Sequence, residues 1–361
     1  MEIIRTFHPV GQGAFYSERF CEDGGRTVFT VVYDCGTETS ATIMDVSLDK
    51  QIEQFCSSLG PAPQIDILFI SHFHADHING LERLLKKAKV EKTVIPMIDP
   101  AMICVTQIQN HLRYGRGVAF NSDKIIDELY FHETNSTRFG EIVYVEPMEE
   151  GKEYNTIDFS NILHRKGIPS GKILPNGVIW EYVPINSIEN DDPRIKELYD
   201  GLVNMGLKKC GLGELIKNQM YEVKQLYRSI MKNTNDNLYS LVVVSRPVDG
   251  IIPYPCPRLS HCIYFGDFDF NQSGDPWRRL KKIIDYSKIG TVQVPHHGAK
   301  RNWCREMGKG DPRHYIVSAG STNRYHHPNY WVLQDIWEEG HRSFVVSERS
   351  MYERTYSFEI K

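Results

Sequence analysis

Apolar residues recur along this chain at two spacings. Short alternating or continuous runs rich in β-branched and aromatic residues mark strands, and a three-to-four-residue repeat marks helices. Thr27-Val28-Phe29-Thr30-Val31-Val32-Tyr33 is such a strand run, and the turn residues Glu22-Asp23-Gly24-Gly25 before it predict a hairpin. Further strands are predicted at 65–70, 90–97, 177–184, 238–244, 262–265, 290–294, 314–318, 343–347 and 354–360, with shorter ones near 125–131 and 141–147. Helical spacing is read over 43–59 (Ile52, Phe55 and Cys56 on one face), 81–89, 101–113, 276–285 and 328–338. The stretch 190–234 differs in kind. It is polar, with Ile216, Met220, Val223, Tyr227 and Ile230 on one stripe, and reads as a helical insertion between two core strands. Structural packing is its first expected role. Substrate recognition and docking of a protein partner are the alternatives.

Composition alters this picture little. The 361 residues suffice for one large domain, expected to span 1–361 with the insertion at about 190–234. No run approaches the roughly 18 apolar residues of a membrane-spanning helix. Met1-Glu2-Ile3-Ile4-Arg5 lacks the basic and apolar pattern of a secretion signal, and the eight cysteines include no Cys-x-x-Cys pair. Reduced thiols, a cytoplasmic location and no membrane association are therefore expected. Charge changes the picture more. Net charge is −4, yet Arg278–Arg324 holds 11 Lys and Arg against 3 Asp and Glu, a local balance of +8. Such a segment serves either as a solvated helix face or as a basic wall that attracts an anionic substrate.

The chemistry concentrates where a strand ends. Ile65–Ile70 runs into Ser71-His72-Phe73-His74-Ala75-Asp76-His77, which packs three imidazoles and a carboxylate into six residues. His72 and His74 can serve one metal ion, and Asp76 and His77, one turn on, a second. Phe265-Gly266-Asp267 closes a later strand with a carboxylate. Asp267 is the candidate bridge between the ions, with Asp269 its competitor. Val294-Pro295-His296-His297-Gly298 comes after another strand. Neighbouring side chains diverge there, so one histidine is expected to be a ligand and the other a supporting or substrate contact; His297 is favoured as the ligand. Finally, Ser318 to Pro328 joins a strand to a helix. It can set Asn323 and Arg324 around an oxyanion and let His327 protonate a leaving group or hold a phosphoryl oxygen.

At His72–His77 the chain resembles the metallo-β-lactamase-fold hydrolases. Val10-Gly11-Gln12-Gly13, Asp34-Cys35-Gly36, Asn237, Gly266-Asp267, Pro295-His296-His297-Gly298 and Asn323 to Pro328 sharpen the likeness. Together they are similar to the metallo-hydrolase domain of the competence-type (ComEC-like) DNA-uptake channels and its stand-alone relatives. The resemblance implies an α/β fold, a four-layer αββα sandwich. It implies a site in which His72, His74, Asp76, His77, Asp267 and His297 hold metal, zinc by default and two ions, with manganese an alternative. A third histidine for the first ion would come from mid-chain, where His111, His132, His164 and Asp99 are the candidates. Ala14 stands where the family has an acidic residue, and the channel's membrane helices are absent.

The expected activity is hydrolysis by a metal-bound hydroxide that Asp76 orients, with His327, Asn323 and Arg324 on the leaving side. The substrate class is nucleic acid or a nucleotide phosphodiester. A thioester, lactone or lactam hydrolase is one rival. The other is a metal-stabilised subunit that docks a partner through 190–234 in a multi-gene system, defence against phage included.

Overall fold

β-Branched and aromatic residues that alternate between two faces build fifteen strands in the computed structural model, which describes residues 1–39, 48–130, 138–148, 157–158, 173–174, 179–186, 192–232, 239–271 and 275–359. In chain order they are β1 (Glu2–Phe7), β2 (Phe15–Cys21), β3 (Thr27–Cys35), β4 (Gln64–Phe69), β5 (Lys89–Pro96), β6 (Glu141–Val145), β7 (Ile157–Asp158) and β8 (Ile173–Leu174). Next come β9 (Trp180–Asn186), β10 (Leu241–Pro247), β11 (Cys262–Tyr264), β12 (Thr291–Gln293), β13 (His314–Ser318), β14 (Arg342–Val346) and β15 (Tyr352–Ser357). The helices before the insertion are α1 (Leu48–Ser58), α2 (Ala75–Ile78), α3 (Leu81–Lys87), α4 (Pro100–Arg113) and α5 (Arg116–Tyr130). The insertion is α6 (Pro193–Asn204), α7 (Leu207–Cys210) and α8 (Leu212–Ile230), and after it lie α9 (Pro257–Ser260), α10 (Pro276–Ile283) and α11 (Tyr330–Glu338).

The strands form two sheets, ordered β15-β1-β2-β3-β4-β5-β6 and β14-β13-β12-β11-β10-β9-β8-β7. Each contains an antiparallel meander leading into four parallel strands: β1-β2-β3 and then β3 to β6 in one, β9-β10-β11 and then β11 to β14 in the other. This shared plan is a two-half repeat that no sequence self-similarity reveals. Ligand sites in such sheets lie beyond the carboxyl ends of the parallel strands, and the loops that bear chemistry here leave β3, β4, β11, β12 and β13.

Strand alternation sorts the core into three layers of side chains. Val32 and Leu68 face outward onto Ile52 and Phe55 of α1, Leu81 and Leu84 of α3 and Met102 of α4. Val31, Tyr33, Ile67 and Phe69 face inward and meet Leu241, Val243, Cys262 and Tyr264 of the other sheet. Val242, Val244, Ile263 and Phe265 turn away again, onto Trp277 and Leu280 of α10 and Val332 and Ile336 of α11. Helices, sheet, sheet and helices make the four-layer αββα sandwich of the metallo-β-lactamase fold.

The insertion belongs to the first helical layer. Leu198, Leu202, Leu215, Ile216, Val223 and Tyr227 are buried in the same cluster as Met102 and Ile108 of α4. Met220 and Ile230, on the same stripe, are partly buried against it. One expected strand is a helix: 125–131 falls mainly in α5, because Ile125, Ile126 and Leu129 repeat at helical spacing and are all buried. The strand expected from 238 begins at Leu241, and the helix expected over 43–59 is described from Leu48. Among the described residues no helix is long and apolar enough to cross a membrane.

Candidate metal centre

The turn after β4 is built on Asp34, at the end of β3. Its carboxylate accepts from Ser71 N at 2.7 Å and Ser71 Oγ at 2.6 Å, and its Oδ2 lies 2.7 Å from His77 Nδ1. Asn110 of α4 clamps the other side, donating to Phe73 O at 2.8 Å and accepting from Ala75 N at 3.1 Å. Gly36 explains its place in the Asp-Cys-Gly motif: a β-carbon there would stand 2.6 Å from the Asp76 carbonyl. The backbone of α2 approaches too closely for any side chain.

The second sheet brings Asp267 and His297 to the same point. Gly266 has φ of +56°, and a β-carbon would meet Ser240 Oγ at 2.5 Å and Ser71 Cβ at 2.7 Å. Gln293 Oε1 accepts from Phe265 N and Gly266 N at 2.6 and 2.7 Å, which fixes the approach to Asp267. His296 and His297 both hold left-handed backbone, φ +47° and +55°. His297 Nδ1 donates to the carbonyl of Ser318, the last residue of β13, at 2.8 Å.

The result is a convergence of unpaired donors. His72 Nε2, His74 Nδ1, Asp76 Oδ2, His77 Nε2, both Asp267 oxygens and His297 Nε2 are buried without hydrogen-bond partners. They form two overlapping groups, Asp76-His77-Asp267-His297 and His72-His74-Asp267, each with ligand atoms within 4.8 Å of one another. Leaving so many buried lone pairs unsatisfied costs about 1–3 kcal/mol apiece, and more for a charged group. A pair of cations sharing Asp267 would satisfy them all, so the donor set fits divalent metal.

The remaining nitrogen of each histidine is already engaged. His72 Nδ1 lies 2.9 Å from Ser71 Oγ, and His74 Nε2 3.1 Å from Gln109 Oε1. These partners hold the free nitrogens toward the cluster. Asp76 Oδ1 accepts from Tyr114 OH at 2.8 Å, which aims Oδ2 inward.

Charge is divided unevenly. Burial works against ionisation of Asp76 and Asp267, yet both are held well below the usual carboxylate range: Asp76 by His297 and Arg113, Asp267 by His296, His77 and His72. Burial holds His72 and His74 below the ordinary imidazole range, assisted by His77 and Arg113 respectively. For His77 burial is outweighed by Asp267 and Asp34, which keep it well above that range. Those two carboxylates favour the charged form of His77 in the cation-free protein.

Residues 26–103 match the model of the metallo-beta-lactamase superfamily. That stretch, from β3 into α4, contains the His72–His77 turn. ComE operon protein 3 of Bacillus subtilis is 34% identical over 67 residues, 18% of this chain and 8% of that protein, so the chain spans only a small part of that relative. Two solved structures align along nearly the whole chain. The metallo-β-lactamase fold protein YhfI from Bacillus subtilis is 10% identical over 98% of this chain and 99% of that one, with a TM-score of 0.37. Unliganded yeast PDE1 is 12% identical over 99% of each chain, with a TM-score of 0.42.

Around this centre the structure redistributes several expected roles. Asp269 bonds to Asn271 N at 2.9 Å and belongs to neither donor group, which leaves Asp267 at the centre. Asn323 does not face an oxyanion. Its amide donates to Gly320 O and His327 O, and its oxygen accepts from Tyr325 N and His327 N, so it is wholly spent on the loop. Arg324 is 66% exposed and pairs with Glu38 at 3.0 Å. Arg113 stands nearer the cluster, 4.0 Å from Asp76 Oδ2. His327 does reach the site, with its buried Nδ1 unpartnered, but burial, then His297 and His296, lower its pKa to about 3. It is a neutral hydrogen-bond donor at neutral pH rather than a store of protons.

The mid-chain ligand candidates divide likewise. His111 Nε2 pairs with Asp123 at 2.7 Å, and Asp99 caps α4 through Met102 N at 2.8 Å. His132 and His164, with Asn237, lie outside the described residues. The +8 segment is no continuous wall. Arg313 is buried and bonds to the carbonyls of Ile289, Lys309 and Tyr286. Arg305 and Lys309 form ion pairs with acidic neighbours. Arg301 lines a cavity of about 530 Å³ over the cluster, together with Arg113, Tyr227, Tyr325, His296 and His327. Nothing in the sequence pattern assigned a role to Asp34, Gln109, Arg113 or Tyr114, Arg301 entered only as part of the basic segment, and Tyr227 reads there as packing. Asp34, in Asp-Cys-Gly at a strand end, carries a local signal that Gln109, Arg113 and Tyr114 lack.

Proposed function

We propose that this protein is a two-cation phosphodiesterase acting on nucleic acid or nucleotides. The superfamily supports metal-dependent hydrolysis. The cavity over the cluster supports the finer reading. It sets two guanidinium groups and two phenol rings beside seven convergent metal-ligand atoms. Arginine matches phosphate oxygens in charge and fork geometry. A neutral thioester or lactam gives the arginines nothing to neutralise.

Bound divalent cations supply a water of lowered pKa and an electrophile for the phosphoryl oxygen. The chain's own residues do the rest. Asp76, held ionised and aimed by Tyr114, accepts a hydrogen bond from the attacking water through Oδ2. Arg113 and Arg301 neutralise the phosphodiester and set its direction. His327, neutral, donates a hydrogen bond to a phosphoryl or leaving oxygen. Zinc suits the four histidines, and manganese suits the carboxylates.

The test is turnover by metal-reconstituted protein on single-stranded, double-stranded and cyclic phosphodiesters beside a thioester and a lactam. Asp76→Ala runs in parallel. Phosphodiester cleavage that Asp76→Ala abolishes, and that weakens as salt rises, is the expected result. Preference for the neutral substrates, or equal turnover by both proteins, overturns it.

A further inference from the structure

We propose that His296 is a direct metal ligand, completing the shell of the cation that His72 and His74 hold. The assignment rests on the two-cation reading above. It starts from an imbalance: one donor group has four residues and the other three, His72, His74 and Asp267. Zinc sites of this ligand type carry three protein donors and a water, or four protein donors, and the geometry around Asp267 offers a fourth.

Asp267 divides the cluster between its two oxygens. Oδ1 faces His77 Nε2 at 3.1 Å and His297 Nε2 at 3.9 Å. Oδ2 faces His72 Nε2 at 3.6 Å and His296 Nε2 at 3.7 Å. His296 therefore stands on the deficient side. The divergence expected of adjacent side chains is real, but it fans the two rings onto opposite oxygens of one carboxylate. Left-handed backbone at both residues accomplishes this.

The ring is also prepared as a ligand. His296 Nδ1 lies 2.8 Å from Asn302 Oδ1. Asn302 is wholly buried, and its amide donates to the carbonyls of Asp267 and Phe268 at 3.1 and 3.2 Å. Its oxygen is thereby turned to accept from Nδ1–H, which leaves the lone pair on Nε2, toward Asp267. His74 with Gln109 and His297 with Ser318 use the same arrangement. Asn302 thus ties the ring to the loop that carries the shared carboxylate.

The full chain is stripped with chelator and titrated with Zn²⁺ and, separately, Co²⁺. Bound metal is counted by mass spectrometry, and Co²⁺ coordination is read from visible absorption. Wild type is expected to hold two ions. His296→Ala is expected to keep one at wild-type affinity and to bind the other at least about 10-fold more weakly, with a changed Co²⁺ spectrum. The retained ion reports an intact fold. His296→Ala that binds both ions as wild type does, with an unaltered spectrum, overturns the assignment and leaves His296 as a substrate contact. Wild type that never binds a second ion overturns the two-cation reading and the assignment with it.

Discussion

The two halves of the cluster are oriented by different parts of the molecule. His77 is held by Asp34 of β3, and His297 by the Ser318 carbonyl at the end of β13. Both supports sit at strand ends of the sandwich itself. His74 is held by Gln109 of α4, whose amide donates to Tyr227 OH of α8 at 3.1 Å. One half is thus a property of the core fold. The other is wired through hydrogen bonds to the helical insertion, which also lends Tyr227 to the cavity wall. Burying the insertion's apolar stripe in the first helical layer puts a phenol 118 residues away in sequence against Gln109. An insertion read first as packing also positions a candidate ligand.

The contrast between the halves should vanish most drastically at the residue they share. Asp267→Ala should lose both ions and reduce turnover to background. Metal analysis that finds either ion at full affinity would show that the halves do not share it. More selective changes should separate the sides. Asp34→Ala is expected to weaken the ion at His77 by about 10–100-fold, and Gln109→Ala the ion at His74 by a similar factor. Competition titrations that show each change spread over both ions would dissolve the distinction.

Acid should discriminate as well. His77, raised by Asp267 and Asp34, must shed a proton when a cation binds, whereas His72 and His74, lowered by burial, are already neutral. As pH falls below neutral, affinity on the His77 side should drop by about tenfold per pH unit. The His72/His74 side should hold until lower pH. Calorimetry in buffers of different ionisation enthalpy measures the released proton, and equal release by both ions would contradict this order. The smallest expected effect is that of Tyr227→Phe. It removes one hydrogen bond from Gln109, worth about 0.5–1.5 kcal/mol, and so a few-fold in affinity on the His74 side alone.

Much of the centre was legible in the residue pattern because it is local. A strand fixes where its last residue points. The His72–His77 turn, Gly266-Asp267 and His297 could therefore be read from apolar runs and the polar residues directly after them. The same logic recovered most strands and both helical layers. It failed at 125–131, where β-branched residues sit at helical spacing, and at Asn323 and Arg324. A loop's composition does not say which side chains its own backbone will consume.

The His and Asp residues gathered at strand ends and the αββα class were readable from residue order alone, since each depends on residues close together along the chain. Folding in three dimensions was needed to settle which carboxylate lies under His77, which arginines overlook the cluster and that both histidines of the 296–297 pair face Asp267. Those relations join residues tens to hundreds of positions apart. They depend on the packing of one element against another, which no local periodicity encodes.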